Sequence, residues 1–262
     1  MGRIALVVEY DGTEFFGWQS QGAQRTVQGV LEDALGRVAD EPVTAHVAGR
    51  TDTGVHAAGQ VVHFDTRAAR TERQWVLGLN SLLPSDVAVR SAMPVPAHFD
   101  ARRSALARRY LYLIQTGTAR APLLRRRSWW VSESLDAASM QSAAAAWIGE
   151  HDFSSFRAAG CQSRSPFRRM DRIEIRTRGS LIGCDFTANA FLYHMVRNLV
   201  GTLVEIGQGR RSADWAAQLL HDRDRTQAGM TAPAAGLTLV AVDYGPELAL
   251  PATGQRDWLT LV

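Results

Sequence analysis

The chain has 262 residues, 46% of them hydrophobic, and two cysteines, Cys161 and Cys184. That is apolar material for a sizeable core and for two halves of about 120 residues each. It excludes a disulfide scaffold and a four-cysteine zinc site, and no run of about 18 apolar residues reads as a membrane span. The formal net charge is only +3, but the first 100 residues hold 8 Arg against 12 acids and the rest hold 21 Arg against 14.

In chain order, Ile4 to Tyr10 reads as a strand; it is short and carries Arg3 and Glu9, unlike a signal peptide. Val27, Val30, Leu31, Ala34, Leu35 and Val38 lie at helical spacing behind Thr26, a natural N-cap. Two extended segments follow, Val43 to Val47 and Gln60 to Phe64, joined by a loop that Gly49 and Gly54 bracket. A helix is expected from Glu72 to Leu83 and a strand from Val87 to Met93. The order β-α-β-β-α-β is the split βαβ pattern. Pro94-Val95-Pro96 and Ala97 to Ser104 read as the crossover to the second half.

The second half opens with an alternating strand, Arg109 to Gln115, and an Ala-rich helix, Leu135 to Ile148. Met170 to Arg176 and Leu181 to Ala188 form a hairpin turning at Gly179-Ser180. Phe191, Met195, Leu199, Leu203 and Ile206 share one helical face, which Gly207-Gln208-Gly209 closes as a C-cap. A helix from Ala213 to His221, a strand from Leu237 to Val242 and a loosely ordered tail from Pro246 complete the chain. The expected organisation is an α+β half over 1–104, a second over 105–245 and a tail over 246–262.

Four side chains stand out. Asp52 sits near the tip of the loop between the two strands, where it is either a plain turn residue or a carboxylate held for chemistry. Arg50, two residues earlier, is a turn-surface charge or a phosphate contact. Arg197 interrupts an apolar helical stripe, and a buried Arg needs a partner, usually a carboxylate. Tyr110 alternates with Tyr112 on one strand, as core aromatics do and as a ring stacking on a planar ligand would. Phe16, Trp18 and Gln19 are core anchors or shape an exposed loop. Eight Arg and no acid lie between Ala101 and Ser132, and seven Arg lie between Arg157 and Arg178. Such clusters are solvated faces or the footprint of a phosphate-bearing partner. His56 and His63 are seven apart and match no zinc spacing, so no metal is expected.

The motifs favour one side of these pairs. Gly49-Arg50-Thr51-Asp52-x-Gly54-Val55-His56-Ala57 resembles the signature loop of the A-type tRNA pseudouridine synthases. Tyr10-Asp11-Gly12-Thr13-x-Phe15-x-Gly17-Trp18-Gln19 and Arg108-Arg109-Tyr110-x-Tyr112 resemble their opening and middle motifs. Asp152-Phe153-x-Ser155-Phe156 with Cys161-x-Ser163, His194-Met195-Val196-Arg197-Asn198-x-Val200-Gly201, and Ala228-Gly229-x-Thr231-Ala232-Pro233-Ala234-x-Gly236-Leu237 resemble the later ones, all in the family's order. Thr53, Phe167 and Thr238 stand where the family usually has Ala, Trp and Tyr; no group the chemistry needs is lost.

The resemblance implies two RNA-recognition-like halves forming a continuous, mostly antiparallel sheet with a central active-site cleft. It implies Asp52 as the catalytic carboxylate, Arg197 as its ionic partner, Tyr110 against the target base, and Arg50 on a nearby phosphate. The reaction implied is isomerisation of uridine to pseudouridine at positions 38, 39 and 40 of the tRNA anticodon stem-loop. It needs no cofactor, and Asp52 would attack C1′, attack C6 or assist glycal formation. A cytoplasmic homodimer bridged by tRNA is expected, with no membrane. Two rivals are a tRNA-binding protein without chemistry and a metal-dependent RNA phosphoesterase.

Overall fold

The computed structural model describes residues 1–248 and forms two compact units. The first comprises Met1–Leu106 with a returning segment that begins at Thr238. Its elements are β1 (Gly2–Tyr10), α1 (Val27–Ala39), β2 (His46–Val47), β3 (His56–Thr66), α2 (Glu72–Leu82) and β4 (Val87–Val95). The central strand β1 pairs antiparallel with β3, Leu6 opposite Val62, and with β4, Leu6 opposite Ala92. Leu6, Val8, Val62 and Phe64 are fully buried, as expected of a sheet face covered by helices.

Both helices start where the sequence places a cap. The Thr26 hydroxyl accepts the Gly29 N–H, and Val27, Leu31, Ala34 and Leu35 are buried on one face of α1. Thr71 and Gln74 make a reciprocal capping box on α2, which buries Trp75 and Leu79. The Trp75 ring meets Phe64 edge-on at 5.2 Å. The segment expected to be a strand from Val43 pairs only at its end, His46 opposite His63.

The crossover segment is part of the core of this unit. Phe99 and Ala101 are fully buried against Ala5, Ala48, Val61 and Tyr244. The Tyr244 hydroxyl donates to the Ala101 carbonyl at 2.6 Å, and the Ala101 N–H donates to His63 Nδ1 at 3.0 Å. Accepting that bond requires Nδ1 to be unprotonated. Burial, then the charge of the stacked His46 and of Arg3, hold the His63 pKa below its ordinary value against the opposing pull of Asp100 and Asp65. The unfolded chain therefore binds this proton more readily. The contribution of neutral His63 is complete above about pH 6.5 and is lost as pH falls from there toward the folded-state value. Urea midpoints should drop between about pH 7 and about pH 5, and His63→Asn, whose Oδ1 accepts at any pH, should flatten that dependence. An equal drop in the variant would place the acid sensitivity elsewhere.

The second unit spans Ala107–Leu237. It contains β5 (Ala107–Thr116), β6 (Trp129–Val131), α3 (Ala137–Ala144), β7 (Gly149–Asp152), β8 (Phe167–Arg178), β9 (Leu181–Ala188), α4 (Met195–Gly207) and α5 (Trp215–Asp222). The strands run in the order β5-β9-β8-β7, all antiparallel, with β6 parallel beside β5. Each unit is thus a mixed α+β layer with a mostly antiparallel sheet. The helix α3 packs on α4 and β8, and Trp147 donates its indole N–H to the Ala216 carbonyl in the first turn of α5.

Three helices differ from their expected bounds. The Ala-rich helix is shorter than Leu135 to Ile148, because Asp136 caps it and Ala145–Trp147 tightens into a 3₁₀ turn. The helix expected from Phe191 begins at Met195, since His194 adopts a left-handed φ of 59° that ends the preceding turn. The helix expected from Ala213 to His221 runs over Trp215–Asp222. The last strand, β10 (Leu237–Asp243), leaves the second unit and pairs parallel with β3, Thr238 opposite His56. The Leu106 N–H bonds the Asp243 carbonyl at 2.8 Å, tying this return to the first unit. Of the expected tail over 246–262, Pro246–Leu248 form a short 3₁₀ turn and residues from 249 lie outside the described residues.

Candidate active site

The Asp52 loop is clamped on both sides by the opening motif. The Val55 N–H bonds the Asp52 carbonyl at 3.1 Å, and Gly54 takes a φ of +78°, the requirement of the third residue in a type II turn. The Thr51 carbonyl accepts the Trp18 N–H at 3.0 Å, and the Gly54 N–H reaches the Phe15 carbonyl at 3.3 Å. The buried Tyr10 hydroxyl lies 2.7 Å from Thr51 Oγ1, and Gln60 donates to the Gly49 carbonyl at 2.7 Å. Burial pushes the Tyr10 pKa up to about 12, so this ring acts as a neutral brace. The same segment holds the start of α1, whose Val27 and Gln28 N–H groups bond the Gly17 and Trp18 carbonyls.

Glycine is required where these backbones touch. A Cβ on Gly12 would stand 2.0 Å from the Val55 carbonyl oxygen. On Gly17, whose φ is +78°, it would stand 2.8 Å from the Thr51 oxygen. The turn that carries Asp52 is therefore seated by direct backbone contact, the kind of support that fixes a reacting group. Asp52 is half-buried and Arg50 is exposed. Trp18 is a buried core anchor, whereas Phe16 and Gln19 are exposed. Gly12→Ala should displace the Asp52 turn and cost about 1–3 kcal/mol through overpacking. We expect a lower Tm and a loss of turnover larger than the loss of folded protein; parental turnover would show that the turn tolerates the shift.

In the second unit, Tyr110 lies on β5, nearly buried, with Phe191 edge-on at 5.0 Å. Arg197 occupies the first turn of α4 and is half-buried. Its Nε–H donates to the Ala232 carbonyl at 2.7 Å, while the Ala232 N–H donates to the Arg197 carbonyl at 3.1 Å. This two-point clamp is not legible in the sequence. It directs any carboxylate partner of Arg197 to the terminal NH₂ groups. The segment 228–233 lies directly on the backbone of α4. A Cβ on Gly201 would stand 1.7 Å from the Met230 carbonyl oxygen, and one on Gly229 would stand 2.7 Å from the Thr202 nitrogen. The strap continues to Pro233, whose carbonyl accepts the Tyr112 hydroxyl at 2.8 Å.

The arginine clusters divide into two kinds. Arg109 chelates the buried Asp185 through Nε, 2.9 Å from each carboxylate oxygen, and through Nη2. Arg108 bonds the Asn189 carbonyl at 2.8 Å. Arg157 donates to the Cys161 and Ser163 carbonyls, and Arg168 to the Ser165 carbonyl and the Ser163 hydroxyl. These arginines build the protein. By contrast, Arg125 and Arg126 are exposed on the tight turn that follows Pro122. Among the described residues, no group of three or more His, Cys, Asp or Glu could hold a metal ion, and no helix is long and apolar enough to cross a membrane.

Comparison with known proteins agrees with these motifs. A family profile described as tRNA pseudouridine synthase matches residues 6–102 and 143–245. The chain is 51% identical over 263 residues to a protein named tRNA pseudouridine synthase A from Paraburkholderia xenovorans, covering 100% of this chain and 97% of that one. It is 53% identical over 249 residues to the protein of the same name from Shewanella amazonensis, covering 95% of each. Among solved structures, an archaeal box H/ACA sRNP Nop10–Cbf5 complex is similar at 14% identity with a TM-score of 0.36, covering 77% of this chain and 43% of that one; a score that low carries no argument.

Proposed function

The chain belongs to the tRNA pseudouridine synthase family, and on that premise we propose that it isomerises uridine to pseudouridine at positions 38, 39 and 40 of the tRNA anticodon stem-loop, with Asp52 as its catalytic carboxylate. The bond from uracil N1 to ribose C1′ breaks, C5 joins C1′, C5 loses its proton to solvent and N1 gains one. Asp52 acts by attack at C1′ or C6 or by assisting glycal formation. Arg197 pairs with it, Tyr110 packs on the base and Arg50 meets a nearby phosphate. A base in a stem must leave its stack to react; two RNA-recognition-like halves with a central active-site cleft to receive it are part of the same proposal. A homodimer bridged by tRNA belongs to the same proposal.

The observation that carries the reading is the Asp52 turn, seated on Gly12 and Gly17 by backbone contacts that admit no side chain. A plain connecting turn would not need a second segment built to hold it. Release of tritium from C5-labelled uridine in tRNA tests the chemistry. Release in step with turnover is expected. Binding without release would favour a tRNA-binding protein, and chelator-sensitive cleavage would favour a phosphoesterase.

In this reading the turn at Arg125–Arg127, where Arg125 and Arg126 are exposed, meets the RNA backbone. Neutralising Arg125, Arg126 and Arg127 together should weaken tRNA binding and flatten its salt dependence. Each phosphate that an arginine neutralises accounts for about 0.7–0.9 of the log–log slope. An unchanged slope would turn this face away from the RNA.

A further inference from the structure

Arg225 lies outside every motif read from the sequence, in the charge-alternating stretch Asp222-Arg223-Asp224-Arg225, which reads as a solvated helix end. The structure gives it a different role. Its Nη2 donates to Asn198 Oδ1 and lies equally close to Thr231 Oγ1, both at 3.0 Å, and its Nη1 reaches the Ala228 carbonyl at 3.3 Å. The Thr231 hydroxyl closes the triangle by donating to Asn198 Oδ1 at 2.7 Å. Asn198 is fully buried and anchored from its other side, Nδ2 donating to the Phe156 carbonyl at 2.8 Å. No carboxylate of the described residues lies within ion-pair distance of Arg225. Its charge is directed at neutral acceptors, which a fork of fixed geometry suits and a single ammonium does not.

The acceptors are informative. Asn198 is the residue after Arg197, and Thr231 is the residue before Ala232, whose carbonyl holds Arg197 Nε. Arg225 thus bridges the helix that carries Arg197 and the strap that orients its guanidinium. Resting on the reading of Arg197 as the partner of Asp52, we propose that Arg225, with Asn198 and Thr231, is a positioning device for Arg197. It pins the 228–232 strap to α4, so that the Ala232 carbonyl fixes the Nε edge and the terminal NH₂ groups present to the carboxylate. Removing the bridge leaves a guanidinium that samples several rotamers, and small misplacements of a charged partner are costly in rate.

The test is a double-mutant cycle on the full-length protein, with kcat and KM measured on tRNA for Arg225→Ala, Arg197→Met and the pair. We expect Arg225→Ala to lower kcat about tenfold and to leave KM within about twofold. The double variant should be no slower than Arg197→Met, because Arg225 acts through it. Arg225→Lys should stay slow, since charge without the fork does not bridge. Parental kcat in Arg225→Ala or Arg225→Lys, or losses that multiply in the double variant, would overturn the proposal. Parental turnover in Arg197→Met would overturn it together with the reading it rests on, whereas slow Arg197→Met beside a parental Arg225→Ala overturns the positioning role alone. If Arg225→Ala does not fold, Thr231→Val, which removes the hydroxyl from the triangle and keeps the shape, decides on the same measurements.

Discussion

Asp52→Asn should lower pseudouridine formation by at least about a thousandfold while tRNA binding stays near parental. The amide has the shape of the carboxylate but carries no charge and is a far weaker nucleophile. The main-chain bonds that seat the turn, from Thr51, Gly54 and the Asp52 carbonyl, are unchanged by the substitution. Thermal stability should accordingly remain close to that of the parent. A variant that still turns over at a substantial fraction of the parental rate would remove Asp52 from the chemistry and leave its loop as an ordinary turn.

Arg197→Met should reduce turnover by about a hundredfold while changing tRNA affinity far less. The guanidinium lies in the first turn of α4, half-buried, its Nε committed to the Ala232 carbonyl. Without it, the site proposed above would lose a positioned positive charge beside the reacting groups. Met fills similar volume, and far-UV circular dichroism should be unchanged. Parental turnover would mean that Arg197 serves some other group.

Signals in the sequence are legible where they are local in the structure. Thr26 and Thr71 cap their helices, and the hairpin turns where Gly179 takes a positive φ. The start of α4 is not legible, because Phe191 continues the apolar spacing through a turn and periodicity does not register the left-handed φ of His194. The strands β6 and β7 are three and four residues long, too short to display alternation. The pairing of β10 with β3 joins segments far apart in sequence, which composition does not encode. At the candidate site, residue types are legible and their supports are not. Gly12, Gly17, Gly201 and Gly229 appear in the sequence only as members of the quoted motifs, yet each marks a place where two backbones meet. The arginine clusters look uniform there, whereas in the structure Arg109 is committed to the buried Asp185 and Arg125 and Arg126 lie on an exposed turn.

The most direct test is to incubate the purified protein with an unmodified tRNA transcript and map pseudouridine along it. Pseudouridine is expected at position 38, 39 or 40, on an intact tRNA, with none formed by Asp52→Asn. Uridine left unchanged throughout the anticodon stem-loop, or the same pseudouridine made by Asp52→Asn, would contradict it.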